Sequence, residues 1–157
     1  MKTAQRTGVL ERDGESTADE TVVSAGLLTY SCLVPHIPQA VGLVRRHVHS
    51  RLTGWGVTGE AADEVLLVVS ELVTNSVLYA RPPVELDLTV SRTEDSRRIR
   101  VAVRDRGPVP GDGTWQPSAD EHGRGCAIVA ALAAGCGDYE DHQGFVRWAD
   151  LECSGPL

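Results

Sequence analysis

Residues 61–79 read AADEVLLVVSELVTNSVLY, apolar on nearly every face of a helix except along one stripe. A helix over residues 60–79 with that pattern is a buried central element. Glu71 and Asn75 stand four residues apart in the stripe and Glu64 one heptad earlier, so all three project from one side. Burying a carboxylate and an amide without partners costs a few kcal/mol, so that side must meet solvent, a polar network or a ligand. On the helix alone, a surface edge accounts for the stripe as well as a ligand does.

Before this helix, Leu27–Val34 reads as a strand, and Pro35 and Pro38 lead into a helical pattern through Val41, Val44, Val48 and Leu52 that Gly54 and Gly56 end. Residues 1–25 are polar and aperiodic and read as a flexible tail, which leaves residues 26–153 as a single domain. After the helix, residues 84–90 and 99–103 alternate with period two around a polar turn, an antiparallel pair. Residues 106–122 carry prolines and glycines with neither period; a loop of this length in a compact domain is usually functional, and it reads as a lid. CAIVAALAAG is then a small-residue helix closed by Gly135, and two strands follow around Gln143-Gly144, ending in FVRWADL. Strand, helix, helix, two strands, lid, helix, two strands make an α/β two-layer sandwich: a mixed, mostly antiparallel sheet with helices on one face.

Composition narrows the chemistry. At 157 residues the chain is long enough for one buried core and too short for two ordinary domains. No apolar run approaches the ~20 residues that cross a bilayer, and the first residues lack the apolar core of a secretory signal, so a cytoplasmic protein without membrane partners is expected. A formal net charge of −7, spread along the chain, argues against direct nucleic-acid binding. Cys32, Cys126, Cys136 and Cys153 show no CxxC pairing, and three of them sit in apolar stretches where a thiol behaves as a small hydrophobe, so core packing is expected rather than zinc or disulfides; His47 and His49 read as helix surface. The one lysine is Lys2, in the tail, which excludes the GxxxxGK[ST] phosphate loop, the strand lysine of eukaryotic-type kinases and the SxxK nucleophile. A nucleotide site in this chain works another way.

Two further features carry chemistry. Asp105 ends the strand IRVAVRD just before Gly107 and the long loop, a place where a carboxylate often just caps a turn. Gly123, Arg124 and Gly125 open the last helix, where bare amides and the helix dipole hold phosphate oxygens and glycine allows close approach. Each is weak alone. In order they are specific: a Glu-xxx-Asn helix, a strand ending in Asp-x-Gly, a lid, then Gly-x-Gly opening a helix.

The stretches SELVTNSVLYA, VRDRGP and HGRGCAIVAALA, with WADL in register on the closing strand, resemble the boxes of the GHKL ATPase superfamily, whose ATP-binding fold is of the Bergerat type. Within it the chain is most similar to stand-alone bacterial anti-sigma-factor serine/threonine kinases. The resemblance implies ATP and Mg²⁺ as cofactors. It implies that Asn75 binds Mg²⁺ through its side-chain oxygen, leaving the other positions to phosphates and water. Glu71 is then the catalytic residue, a general base taking the proton of a serine hydroxyl or of water. Asp105 accepts from the adenine amino group, Gly107 lets the backbone pass the ring, and Gly123, Arg124 and Gly125 hold the phosphates as the lid closes. The sequence departs from the family pattern at Leu78, where many members carry Lys or Arg, and at Val146, the place of a threonine whose hydroxyl bonds near the adenine. One lost neutral hydrogen bond is worth ~0.5–1.5 kcal/mol, a weakening of roughly two- to tenfold.

The leading functional expectation is an anti-sigma factor with serine/threonine kinase activity that acts by partner switching. Its partners are then a sigma factor and an anti-anti-sigma antagonist, and a homodimer is compatible with the resemblance. The alternative is a non-catalytic module that uses ATP only to order its lid and present a surface. A histidine-kinase catalytic domain is a weaker reading, because no phosphoacceptor helix pair precedes the domain in this sequence. A protein-interaction domain that has lost nucleotide binding ranks last.

Overall fold

The computed structural model describes residues 20–24, 26–109 and 119–154, with the backbone alone for residues 20–24, 119–124 and 154. The strands are β1 (Glu20–Ser24), β2 (Leu27–Val34), β3 (Val84–Arg92), β4 (Ser96–Asp105), β5 (Gly135–Asp141) and β6 (Gly144–Ser154), and the helices are α1 (Ala40–Gly54), α2 (Gly59–Tyr79) and α3 (Ala119–Leu132). The sheet runs β1-β2-β3-β4-β6-β5, and the expected mostly antiparallel sheet is antiparallel at every pairing among the described residues.

Period-two alternation places the core. Along β3, Val84, Leu86, Leu88 and Val90 are buried while the residues between them are half-buried, and their partners Val34, Cys32 and Tyr30 on β2 and Val103, Val101 and Ile99 on β4 extend the same apolar layer. The helices cover it. On α1, Ala40, Val44, Val48 and Leu52 recur every four residues and are buried. The apolar α2 lies between α1 and α3, over β4, and buries Val65, Val68, Val69 and Val73 completely. At ~1.5–3 kcal/mol for each large side chain removed from water, this layer dominates the stability of the sandwich. No described helix is long and apolar enough to cross a membrane.

Several boundaries differ from those expected. The tail expected over residues 1–25 lies outside the described residues as far as residue 19, but Glu20–Ser24 is a strand on the outer edge of β2. Thr-Val-Val is a β-favouring core, and the free edge of β2 offers it hydrogen bonds. The lid expected over residues 106–122 lies outside the described residues at 110–118, and from Ala119 on the chain is helical. Gly135 does not close α3, which stops at Leu132; it opens β5, where the Trp148 ring lies 3.8 Å from the position its Cβ would take. Cys32 is buried as expected and Cys153 is half-buried against the core, yet Cys126 and Cys136 are exposed, because they line the open cavity between α3 and the edge strand β5. His47 and His49 lie on the exposed side of α1.

Candidate functional site

The long helix α2 carries Asn75 into the interior, 9% exposed, one turn after the half-buried Glu71. Both face α3. A Cβ built on Gly125 would lie 2.7 Å from Oε2 of Glu71 and 3.9 Å from Nδ2 of Asn75, so a larger residue there would push the Glu71 carboxylate out of its present place beside α3. The stripe read from the sequence is thus a helix–helix contact around two polar side chains rather than a solvated edge.

Asp105 is 2% exposed at the end of β4. Its Oδ2 accepts the Ser76 hydroxyl at 2.6 Å, and its Oδ1 accepts the Gly107 N–H at 2.8 Å. Gly107 has φ +83°, in the left-handed region that glycine adopts without strain, which lets the chain turn back after the strand to make that bond. The loop is fastened further: Arg81 N–H donates to the Gly107 carbonyl at 2.9 Å, Arg106 N–H to the Arg81 carbonyl at 3.0 Å and Val109 N–H to the Tyr79 carbonyl at 3.1 Å. The C-terminal end of α2 and the turn after β4 therefore form one unit. Gly144 abuts it from β6, where a Cβ would fall 2.2 Å from the Asp105 carbonyl oxygen.

One expectation needs correction. Gly123, Arg124 and Gly125 do not open α3; the helix begins at Ala119, so Gly123 comes one full turn inside and its amide donates within the helix. The Ala-Asp-Glu-His stretch before it is compatible with a helix and puts acids in the first turn, which offsets part of the ~1 kcal/mol that each glycine costs. Of the three, Gly125 joins Glu71 and Asn75; the contacts of Gly123 and Arg124 lie outside the described residues. Val146 is buried and pairs with Arg104, whereas Phe145 pairs with Asp105 and shares its face. Leu78 is 46% exposed on α2.

Sequence reasoning passed over Ser76, Phe145 and Gly144. Ser76 follows Asn75 directly but meets its partner across 29 residues of chain, a distance no local spacing signals. Phe145 was within reach: counting β6 in steps of two from the core-facing Ala149 and Leu151 arrives at it.

A cavity of about 260 Å³ opens between α2, α3, β5 and β6, with Leu72 and Asn75 on one wall, Gly125 and Cys126 on the next, and Asp138 and Arg147 on the strands. The donor set suits Mg²⁺ in one form. Among the described residues no group of three or more His, Cys, Asp or Glu could cage a metal. A single amide oxygen at Asn75 fits an ion that keeps its waters and takes its remaining ligands from phosphates.

The sequence model of the histidine kinase-like ATPase domain matches residues 34–148. Among solved structures, the histidine kinase domain of the blue-light activated histidine kinase of Erythrobacter litoralis EL346 is similar with a TM-score of 0.41 at 20% identity, over 71% of this chain and 60% of that one. The Acinetobacter baumannii histidine kinase AdeS is similar with a TM-score of 0.36 at 15% identity, over 79% of this chain and 66% of that one. This chain thus covers less than two thirds of either structure. No curated protein matches it significantly.

Proposed function

The chain belongs to the histidine kinase-like ATPase domain family, and on that premise we propose that it is an ATP-binding anti-sigma factor with serine/threonine protein kinase activity. It regulates transcription by exchanging a sigma factor for an anti-anti-sigma protein, which it phosphorylates. The observation that carries this reading is the convergence of Glu71, Asn75 and Gly125, three residues that the family resemblance assigns to proton transfer, metal binding and phosphate binding. Bound Mg²⁺, held by Asn75, supplies charge neutralisation for the phosphates.

The chain's own residues do the rest. Glu71 takes the proton of a serine hydroxyl as that oxygen bonds to the γ-phosphorus and the bond to the bridging oxygen of ADP breaks. Asp105 receives the adenine amino group with lone pairs left over from Ser76 and Gly107. Arg124 through its guanidinium, and Gly125 through the close approach that a missing side chain allows, hold the phosphates. Purified protein mixed with labelled ATP, magnesium and a candidate antagonist protein transfers label to a serine, and Glu71→Gln abolishes the transfer while ATP still binds. Label transfer that persists undiminished in Glu71→Gln rules out the assignment.

The second reading, a module that binds ATP without turnover, is favoured by Leu78, which leaves the end of α2 without the cation many relatives carry. It predicts calorimetric ATP binding that Asn75→Ala weakens, with neither hydrolysis nor transfer.

A further inference from the structure

Arg147 occupies a position that the fold reserves for apolar side chains. On β6, Phe145, Arg147, Ala149 and Leu151 pair with Asp105, Val103, Val101 and Ile99 of β4, so all four face the helices. Ala149 and Leu151 are buried in the core, and Arg147 is half-buried among them. A guanidinium on a core-facing position costs desolvation energy that only an anion or a polar partner offsets. Its head lies over the Phe145 ring, 5.4 Å from the centroid, and Phe145 neighbours Asp105; its side chain also lines the cavity that holds Asn75 and Gly125. Arg147 is the one cationic residue among the described residues of that lining, and the carboxylate of Asp138 stands across from it on β5.

From this geometry we infer that Arg147 is a phosphate-binding residue of the nucleotide cleft, which supplies from the sheet the positive charge that α2 lacks at Leu78. The inference rests on the nucleotide reading and adds a residue to it. At about 260 Å³ the cavity falls short of the ~300–1,000 Å³ of sites that enclose a whole ligand, and so suits a phosphate chain better than a complete nucleotide. A guanidinium grips phosphate through paired N–H donors, a geometry that lysine does not reproduce. Asp138, opposite Arg147 in register and in the same lining, adds negative charge that repels a phosphate there.

The test uses the full chain with Mg-ATP, adenosine and inorganic triphosphate as probes, ATP and triphosphate by calorimetry and adenosine by displacement of a fluorescent ATP analogue, with thermal melts confirming that each variant is folded. Arg147→Ala weakens ATP about tenfold or more and adenosine less than about twofold, Arg147→Lys recovers part of the loss, and Asp138→Asn tightens ATP. Equal losses for ATP and adenosine, or ATP binding unchanged in Arg147→Ala, overturn the inference while leaving the nucleotide reading intact. Should the wild type bind no ATP, the nucleotide reading falls by itself. In that event triphosphate binding that Arg147→Ala removes still upholds Arg147 as a phosphate residue, and no triphosphate binding sinks it as well.

Discussion

Ser76 and Asp105 form a buried hydroxyl–carboxylate pair directly behind the candidate magnesium ligand. Removing the donor leaves a buried carboxylate oxygen without its closest partner, so Ser76→Ala should cost about 1–3 kcal/mol, read as a lower urea midpoint at unchanged slope. A variant as stable as the wild type would mean that water takes over the hydroxyl's bond. At this scale the sequence was partly legible: Glu71, Asn75 and Asp105 stood out because a charge or amide in an apolar run is costly. Ser76 did not, because serine is tolerated almost anywhere and its partner is remote along the chain.

On the face away from the helices a ladder of ion pairs runs from β4 to β6 and, at one rung, to β5. Arg100 grips Asp150 through two hydrogen bonds of 2.6 and 2.7 Å and stacks on Trp148, 4.6 Å from the ring centroid; Arg98 pairs with Glu152 and Arg104 with Asp141. The Arg100 hydrogen bonds hold the Asp150 carboxyl below the usual carboxylate range, against the opposing pull of burial. A carboxyl whose folded pKa is depressed contributes stability that is complete above its unfolded pKa of about 3.9 and disappears as pH falls through the folded value. Asp150→Asn should therefore cost about 1–2 kcal/mol at pH 7, an amount discounted for the solvent around Arg100, and should lose less than the wild type on going from pH 7 to pH 3. Chemical unfolding at the two pH values decides it, and parallel losses would remove Asp150 from the acid response. The alternation of these strands was plain in the sequence. Their pairing order was not, because β6 inserts between β4 and β5, and hydrophobic periodicity says which face a residue takes but not which strand lies beside it.

As a whole the sandwich joins α2 to β4, β6, α1 and α3, so a ligand held between α2 and α3 stabilises the entire domain rather than one element. If ATP and magnesium bind the folded state alone, nucleotide at one hundred times its dissociation constant adds about 2.7 kcal/mol to the unfolding free energy. A thermal melt should move upward with nucleotide concentration in the wild type and much less in Asn75→Ala. A melt insensitive to nucleotide at every concentration would favour the interaction domain that has lost its ligand.

Local pattern was enough to specify the α/β class, the helix α2, the strand pairs and the three boxes, since periodicity and the cost of buried polar groups act between near neighbours in the chain. Only the packed structure decided that Gly125 touches Glu71, that Ser76 caps Asp105, that Phe145 shares the face of Asp105, and that Arg147 lies in the cavity wall. Those contacts join elements far apart in the chain. They depend on strand register and on where α3 begins, and both are set by the closing of the sheet against the helices as a unit.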